Sequence, residues 1–412
     1  MDLLLELKEI HKRTPSKILL VVLDGVGGLP REPGGPTELA AARTPNLDRL
    51  AAESALGLFT PVAPGIAPGS GPGHLAIFGY DPLKYRVGRG VLSALGLGVP
   101  LGPEDVAVRG NFATLNPDGT VKDRRAGRPP TEENRRVLAK LKAAISTIED
   151  VRVELYTESE HRFALVLRGP GLGDRVTDTD PQVAGVPPRK AEPEDPADAG
   201  SAKTARILNR FAELAREVLK DEPVINGVLL RGASKRPDFP SLAEVAGLAP
   251  AAIASYPMYR GVAELVGMEA LPLEEDEDDP DRPQAKLRAL RAHWRAHDFF
   301  YLHFKKTDSK GEDGDFEGKV ERIELFDRLL PELLALAPDV LLITGDHSTP
   351  AVYRAHSWHP VPVLLKGPYL RADAARRFTE DEAARGSLGS LLGPVLLPLM
   401  LAQAGKLQKY GA

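Results

Sequence analysis

Short, almost wholly apolar runs alternate with helical patterns toward the two ends of the chain. Apolar runs of this kind are typical of strands buried on both faces of a parallel sheet, and they occupy residues 17–23, 299–304, 339–343 and 361–365. Helical patterns lie between them, notably at 44–54, where Pro45 takes the first helical position, and at 317–336, which carries an apolar stripe. Strands that alternate with helices predict an α/β fold built on a parallel sheet.

The middle of the chain has a different texture, which we interpret as a second, inserted domain. Its strand patterns are 106–115, 151–157, 162–167 and 224–231, and its helical patterns are 132–145 and 201–219. The segment 274–281 has seven acidic residues among eight and is interpreted as a solvated linker at the C-terminal border of the insertion. The expected organisation is one discontinuous domain, 1–85 together with 285–412, and one inserted domain, 86–284.

Composition and charge narrow the class of partner. The 412 residues include 53 Lys and Arg against 58 Asp and Glu, a net charge of −5, so no bulk positive field attracts nucleic acid or an anionic membrane. Cys is absent, which excludes disulfides, thiolate nucleophiles and iron–sulfur ligation. This fits a reducing or a hot compartment, and a cytoplasmic protein is the default expectation. The longest apolar run, 391–402, is interrupted by Gly and Pro and is too short to span a bilayer. The N-terminal residues fit an amphipathic helix rather than a signal peptide, and the oligomeric state is left open.

Polar residues that directly follow the apolar runs are candidate ligands, because open parallel sheets bind ligands beyond the carboxyl ends of their strands. Three segments qualify. The first contains Asp24, the second is an unusually acidic loop at 305–315 with Asp308, Glu312, Asp313 and Asp315, and the third, 344–349, contains Asp346 and His347 and is followed by His356. Taken singly, an Asp-Gly after a strand is better interpreted as a common turn, and a single His as a core or surface residue. The expected convergence of these residues at one sheet edge predicts a metal site, and carboxylates with imidazoles suit manganese, zinc or cobalt.

Ser70 is the candidate nucleophile. It lies in the Gly/Pro-rich segment 64–79, which leads into an apolar helix expected to begin near residues 72–74. A helix N-terminus offers unpaired N–H groups to an anion, and a nearby divalent ion would lower the pKa of the serine hydroxyl. Without metal ligands nearby, a capping or turn serine is the better interpretation.

The ordered motifs of the chain resemble those of the archaeal-type, cofactor-independent phosphoglycerate mutases of the alkaline phosphatase superfamily. The motifs are VVLDGVGG, APGSGPGHLAIFGYDP, TDSKGEDGDFEGK, GDHSTP and HSWHPVPVLL, with DVAVRGNFATL, DRRAGR, HRFALVLRG, DTDP, VLLRGAS and YPMYRG between them. The resemblance extends over almost the whole chain. It implies an alkaline-phosphatase-like, mostly parallel sheet with helices on both faces, plus an inserted smaller α+β domain that grips the substrate.

The resemblance also implies the ligands of two divalent cations. Carried onto matching positions, one set is Asp24, Ser70, Asp346 and His347, and the other is Asp308, Glu312 and His356. Mn²⁺ is the first expectation, with Mg²⁺, Co²⁺ or Zn²⁺ as alternatives. Glu312 replaces a His of bacterial relatives, and Gln182 replaces a His that relatives often carry, whereas His359 is interpreted as structural or outside the ligand set.

The reaction implied by the resemblance interconverts 3-phosphoglycerate and 2-phosphoglycerate through a phosphoserine at Ser70, without a bisphosphoglycerate cofactor. Arginines fork onto phosphate and carboxylate oxygens, and those expected to contact the substrate from the inserted segment are Arg124, Arg125, Arg128, Arg231 and Arg260. At most one of Lys305 and Lys306 is expected to point toward the metals. The alternatives are a metal-dependent phosphomonoesterase or another phosphomutase on the same fold, and a noncatalytic sensor of phosphorylated ligands or metal.

Overall fold

The computed structural model describes residues 3–275, 277–279 and 281–411, and these fall into two compact units. The large unit runs up to Arg86 and resumes at Phe239, and the inserted unit is Val87–Asp238. The strands are β1 (Ile18–Leu23), β2 (Ala55–Thr60), β3 (Val106–Leu115), β4 (Val121–Asp123), β5 (Thr147–Ile148), β6 (Val151–Thr157), β7 (Arg162–Arg168), β8 (Gly227–Ser234), β9 (Pro250–Ile253), β10 (Glu269–Ala270), β11 (Phe299–Phe304), β12 (Val340–Thr344), β13 (Val361–Lys366) and β14 (Gly389–Leu392). The helices are α1 (Leu3–Ile10), α2 (Glu38–Ala41), α3 (Pro45–Ala51), α4 (Ser70–Ile77), α5 (Arg89–Gly96), α6 (Thr131–Ala144), α7 (Ala199–Val218), α8 (Leu242–Ala246), α9 (Pro257–Leu265), α10 (Pro283–His293), α11 (Lys306–Asp313), α12 (Phe316–Leu334), α13 (Glu380–Ala383) and α14 (Leu396–Gln403).

The large unit is built on an eight-stranded sheet in the order β10-β9-β11-β1-β12-β13-β2-β14. Its pairs are parallel except for those of β13, which is antiparallel to both β12 and β2. Every residue of β1, β11 and β12 is buried, so both faces of the sheet centre are covered. The four apolar runs therefore form strands as predicted, and the mostly parallel α/β sheet is confirmed.

The inserted unit contains a mainly antiparallel sheet with two long helices. Strands run in the order β4-β3-β7-β6-β5, with β8 on β3, and each of the printed pairs is antiparallel. One face of α6 and one face of α7 pack with the sheet in a shared apolar core that includes Val137, Leu141 and Phe211. The helix and strand patterns of the middle segment thus form an α+β unit, although β8 begins three residues later than the predicted strand.

The C-terminal border of the insertion lies at 238/239 and not at the expected 284/285. The reason is strand pairing: β9 is hydrogen-bonded in parallel to β11, with Ala251 opposite Phe300, and β10 continues the sheet beyond β9. Both strands are short, so they carry little pattern of their own. The acidic segment 274–281 therefore lies inside the large unit, and its residues 276 and 280 are outside the described residues.

The acidic segment 305–315, expected to be a loop, is mostly helix α11. Both carboxylate oxygens of Asp281 accept hydrogen bonds at the helix start, from the backbone N–H groups of Lys305 and Lys306, each at 2.8 Å. Gly314, at φ +76°, ends the helix in the left-handed conformation that glycine tolerates best. No helix within the described ranges is long and apolar enough to cross a membrane.

Candidate metal centre and nucleophile

The first group of candidate ligands lies where β1 and β12 end. The two strands pair in parallel with Val22 opposite Thr344, so Asp24 and Asp346 leave the sheet side by side. The next residue, His347, places Nε2 at 3.4 Å from Asp24 Oδ1 and 3.2 Å from Asp346 Oδ2. All three side chains are fully buried. The strand register alone therefore brings two carboxylates and an imidazole to one point.

The electrostatics of this group fit a cation. Burial, with the Asp346 carboxylate beside it, raises the pKa of Asp24 to about 7. Burial acts to raise the pKa of Asp346 as well, but His347 and His74 outweigh it and hold that pKa well below its usual range. Asp24 Oδ1 is buried and receives no hydrogen bond from any residue that the structure describes. Buried carboxylates with spare acceptor capacity, next to an imidazole, make a donor set suited to a divalent metal.

Ser70 lies beside the first group as the first residue of α4, not ahead of a helix that begins at residues 72–74. Its Oγ is 3.3 Å from His347 Nε2 and 3.5 Å from the hydroxyl of Tyr259. One turn later, the Nδ1 of His74 lies 2.8 Å from the Ser70 carbonyl oxygen and 3.2 Å from Asp346 Oδ2. His74 therefore links the start of the helix to the carboxylate of Asp346.

The second group of candidate ligands comes from α11 and from the loop before β13. Asp308 and Glu312 are four residues apart, which places them on one face of the helix. His356 Nε2 lies 3.4 Å from Asp308 Oδ1 and 3.8 Å from Glu312 Oε1, whose side chain is 55% exposed. The ring of His356 stacks on that of His347, with 3.6 Å between centroids, and His347 Nδ1 is 3.9 Å from Asp308 Oδ1. The structure thus brings five of the predicted ligands together in two adjacent groups that share His347: Asp24 and Asp346 in one, and Asp308 and His356 in the other. Glu312 lies at the exposed edge of the second group.

Lys305 supplies a positive charge to both groups. Its ammonium contacts Asp308 Oδ2 and lies 3.5 Å from Asp24 Oδ2. Burial acts to raise the pKa of Asp308, but Lys305 and the nearby imidazoles lower it to about 2. Sequence reasoning missed His303, whose Nε2 is 3.0 Å from Asp24 Oδ2, because a histidine inside an apolar strand pattern indicates only a core position.

Sequence reasoning also missed Lys319, the last residue of the motif TDSKGEDGDFEGK. It is fully buried on α12, and its ammonium donates hydrogen bonds to the carbonyl oxygens of Gly27, at 3.0 Å, and Thr349, at 2.9 Å. Glu38, also fully buried, places Oε1 3.9 Å from the same ammonium. The two carbonyls belong to the loops that follow Asp24 and Asp346, so one side chain holds both ligand loops.

Two of the predicted substrate arginines have a protein carboxylate nearby in the inserted unit. Arg124 donates from Nε and Nη2 to the two oxygens of Asp180, both at 2.7 Å, and from Nη2 to Gln182 Oε1 at 2.8 Å. Arg231 Nη1 is 3.8 Å from Asp180 Oδ2. Gln182 therefore helps to orient Arg124, and the guanidinium of Arg124 is already held in a bidentate pair.

A second set of cations in the inserted unit surrounds His161. Burial, together with the positive charges of Arg162, Arg109, Arg125 and Arg128, lowers the pKa of His161 to about 3. Two carboxylates lie among these cations, that of Glu158 at 3.9 Å from Arg109 and that of Glu160 at 3.3 Å from Arg162. Arg109, on β3, was not among the residues predicted to bind substrate.

Arg260, expected in the inserted segment, instead lies on α9 in the large unit. The helix follows β9, whose pairing with β11 places this part of the chain in the large sheet. Its Nε is buried without a hydrogen-bond partner in the described part of the chain.

A family model and curated relatives both point to one protein family. A family model described as 2,3-bisphosphoglycerate-independent phosphoglycerate mutase matches residues 51–225. The chain is 70% identical to a protein of Thermus thermophilus and 58% identical to one of Deinococcus radiodurans, in each case over 100% of both chains, and both relatives are named as probable 2,3-bisphosphoglycerate-independent phosphoglycerate mutases.

Two solved structures extend the likeness to the fold. A Pyrococcus horikoshii protein has a TM-score of 0.82 and 32% identity, over 97% of this chain and 100% of that one. A cofactor-independent phosphoglycerate mutase from Thermoplasma acidophilum has a TM-score of 0.67 and 30% identity, over 95% of this chain and 100% of that one.

Proposed function

The chain belongs to the 2,3-bisphosphoglycerate-independent phosphoglycerate mutases, and from this premise we propose that it interconverts 3-phosphoglycerate and 2-phosphoglycerate through a phosphoserine on Ser70. The observation that carries the proposal is the position of the Ser70 hydroxyl. It lies 3.3 Å from His347 Nε2, which itself contacts the buried carboxylates of Asp24 and Asp346. A serine placed beside such a group is a candidate for an activated nucleophile.

We propose that these side chains hold two divalent cations, one in each group. The ligands would be Asp24, Ser70, Asp346 and His347 for the first, and Asp308, Glu312 and His356 for the second. The unpartnered Asp24 Oδ1 and the raised pKa of Asp24 support the first assignment. A carboxylate at Glu312 makes the second group harder, which favours Mn²⁺, with Mg²⁺, Co²⁺ and Zn²⁺ as alternatives. When bound, the cations would supply Lewis-acid charge to the phosphoryl oxygens and a lowered pKa to the serine hydroxyl.

The reaction then needs two transfers at Ser70. Its deprotonated Oγ attacks the phosphorus of 3-phosphoglycerate, the bond from phosphorus to the substrate oxygen breaks, and that oxygen takes up a proton. The glycerate turns, its 2-hydroxyl loses a proton and attacks the phosphoserine, and Ser70 is released as 2-phosphoglycerate forms. Lys305, held between Asp24 and Asp308, provides a positive charge next to the transferred group.

The phosphoserine has to survive while the glycerate turns, so water must be kept from it. Burial of Asp24, Asp308 and His347 keeps one side of the site dry. The arginines proposed to bind the carboxylate and phosphate of the substrate are Arg124, Arg125, Arg128, Arg231 and Arg260. We propose the cytoplasm as the location of the reaction, because the curated relatives are phosphoglycerate mutases.

The test is conversion of 3-phosphoglycerate by the Mn²⁺-loaded protein in the absence of bisphosphoglycerate. We expect 2-phosphoglycerate as product, and acid quenching with ³²P-labelled substrate should trap the label on Ser70. Ser70→Ala should abolish both signals, whereas Ser146→Ala, at an exposed serine of the inserted unit, should change neither. Release of free phosphate alone would favour the phosphomonoesterase, and ligand binding without turnover in the parent would favour the sensor.

A further inference from the structure

The buried hydroxyl of Thr349 lies between the two ligand groups. Thr349 is fully buried, and its Oγ1 is 2.7 Å from Asp308 Oδ1 and 2.9 Å from His347 Nδ1. Asp308 belongs to the second group, whereas His347 contacts the carboxylates of the first. One hydroxyl therefore joins a ligand of each group.

The direction of these two hydrogen bonds follows from the number of protons. Asp308 pairs with the ammonium of Lys305 and is ionised, so its oxygens can only accept. The single hydroxyl proton of Thr349 is therefore donated to Asp308. The remaining contact requires His347 Nδ1 to carry a proton and donate it to Thr349 Oγ1.

A neutral imidazole with its proton on Nδ1 has its lone pair on Nε2. In His347 that atom faces the oxygens of the first group, at 3.4 Å from Asp24 Oδ1, 3.2 Å from Asp346 Oδ2 and 3.3 Å from Ser70 Oγ. We propose that Thr349 is a positioning residue that fixes His347 in the Nδ1-protonated tautomer and so keeps the Nε2 lone pair directed at the first group. The inference rests on the proposed function in one respect, that the two groups bind metal.

The surrounding backbone holds the Thr349 hydroxyl in this place. The backbone N–H of Thr349 lies within hydrogen-bond reach of the carbonyl oxygens of Gly25, at 3.2 Å, and Gly27, at 3.1 Å. The backbone carbonyl of Thr349 accepts a hydrogen bond from the Lys319 ammonium at 2.9 Å. Gly25 is at φ +62°, and a Cβ there would collide with Thr349 Oγ1. The methyl group is confined in turn by Gly311, where a Cβ would lie 2.9 Å from Thr349 Cγ2. The hydroxyl is thus directed at His347 by fixed neighbours.

Two substitutions separate the hydroxyl from the shape of the side chain. Thr349→Val keeps the shape and removes the hydroxyl, which leaves His347 Nδ1 and Asp308 Oδ1 without this partner. Thr349→Ser keeps the hydroxyl and removes a methyl group. Loss of a residue that orients a metal ligand typically weakens metal affinity by about 10–100-fold, so Thr349→Val should weaken Mn²⁺ binding by about that factor. Thr349→Ser should keep the Mn²⁺ affinity within a factor of about three of the parent value.

The measurement is calorimetric titration of metal-free protein with Mn²⁺, with circular dichroism as the check that each variant is folded. Equal Mn²⁺ affinity in the parent and Thr349→Val would overturn the inference. A loss in Thr349→Ser as large as in Thr349→Val would also overturn it, because the hydroxyl would then not be the group that matters.

The tautomer itself can be read without a Thr349 variant and without metal. Long-range ¹H–¹⁵N correlation spectra of metal-free, ¹⁵N-histidine-labelled protein at pH 8 should show His347 with a bare Nε2 and a protonated Nδ1. His347→Gln identifies the signal by its loss. A protonated Nε2 would refute the role of Thr349 and leave the proposed mutase activity untouched. If instead the parent protein has the Nδ1-protonated tautomer but binds no Mn²⁺, the metal assignment is refuted and the Thr349–His347 hydrogen bond stands.

Discussion

Replacing Lys319 with methionine should destabilise the large unit strongly. Methionine fills much of the same space but removes an ammonium that donates to the carbonyls of Gly27 and Thr349 and faces Glu38. Hydrogen bonds from a charged donor are worth about 1.5–3 kcal/mol each, and removing one partner of a buried ion pair costs about 3–5 kcal/mol. These contributions overlap because they involve one atom, so we expect Lys319→Met to lower the free energy of unfolding by about 3–5 kcal/mol.

The assay can follow the large unit alone. The two tryptophans of the sequence, Trp294 and Trp358, both belong to it, and Trp294 stacks on the core residue Phe300 with 4.9 Å between ring centroids. Guanidinium unfolding followed by tryptophan fluorescence therefore reports this unit. Arg328→Met is the matched control, because it removes an exposed cation from the same helix and should change stability by less than about 0.5 kcal/mol.

A second substitution tests whether the charge of Glu38 accounts for part of the loss. Glu38 also accepts hydrogen bonds from the backbone N–H groups of Ala351, at 2.7 Å, and Leu29, at 3.1 Å. A glutamine can keep one of these bonds and leaves no buried charge without a partner. Glu38→Gln should therefore recover part of the loss when it is combined with Lys319→Met. A loss below about 1 kcal/mol in Lys319→Met, or a double variant no more stable than that single variant, would contradict the reasoning.

Three further outcomes can be checked with standard assays. Chelation should abolish mutase activity while far-UV circular dichroism stays near that of the loaded protein, because the buried strands of the large sheet need no metal; unfolding by the chelator would argue against this. Glu312→His should keep partial activity with a changed metal preference, measured by titration with Mn²⁺, Mg²⁺ and Co²⁺, and an unchanged preference would mean that Glu312 is not a ligand. Hydrogen bonds from Arg136 and Lys140 lower the pKa of Glu222 to about 2. The ionised carboxylate therefore stabilises the inserted unit at pH values above the pKa of an unfolded glutamate, about 4.3. This contribution is lost as the pH falls from about 4.3 through about 2. The stability of Glu222→Gln, measured by denaturant unfolding, should therefore depend less on pH over that range, and an identical dependence would refute the assignment.

The sequence was sufficient wherever burial alone decides the structure. The apolar runs at 299–304 and 361–365 form strands with almost the predicted bounds, because a segment that is apolar at nearly every position is buried only when both of its faces are covered. Once the strands were predicted to be parallel, Asp24 and Asp346 were expected at one edge of the sheet, because the carboxyl ends of parallel strands lie at the same edge. This is why most of the candidate metal centre could be predicted before any geometry was known.

Features that depend on distant partners could not be predicted. The segment 305–315, expected to be a loop, contains two glycines and three aspartates, residue types that are weak helix formers. The structure shows that Asp281, distant in sequence, accepts from the backbone at the helix start. The border at 238/239 depends in the same way on the pairing of β9 with β11. This border places Arg260 in the large unit and not in the inserted unit.

Local rules that the site breaks indicate where its function lies. Burying Asp24 beside Asp346 opposes folding, as the raised pKa of Asp24 shows, and such pairs persist only where other interactions hold them. Two interactions hold this pair: the register of β1 with β12 sets the carboxylates side by side, and the Lys319 ammonium donates hydrogen bonds to a carbonyl in each of the two loops that follow them. The buried sheet core stabilises the large unit without help from the site, so the fold tolerates the repulsion between the carboxylates of Asp24 and Asp346 at the edge of the sheet. A divalent cation bound between these carboxylates would replace their repulsion with attraction to the metal.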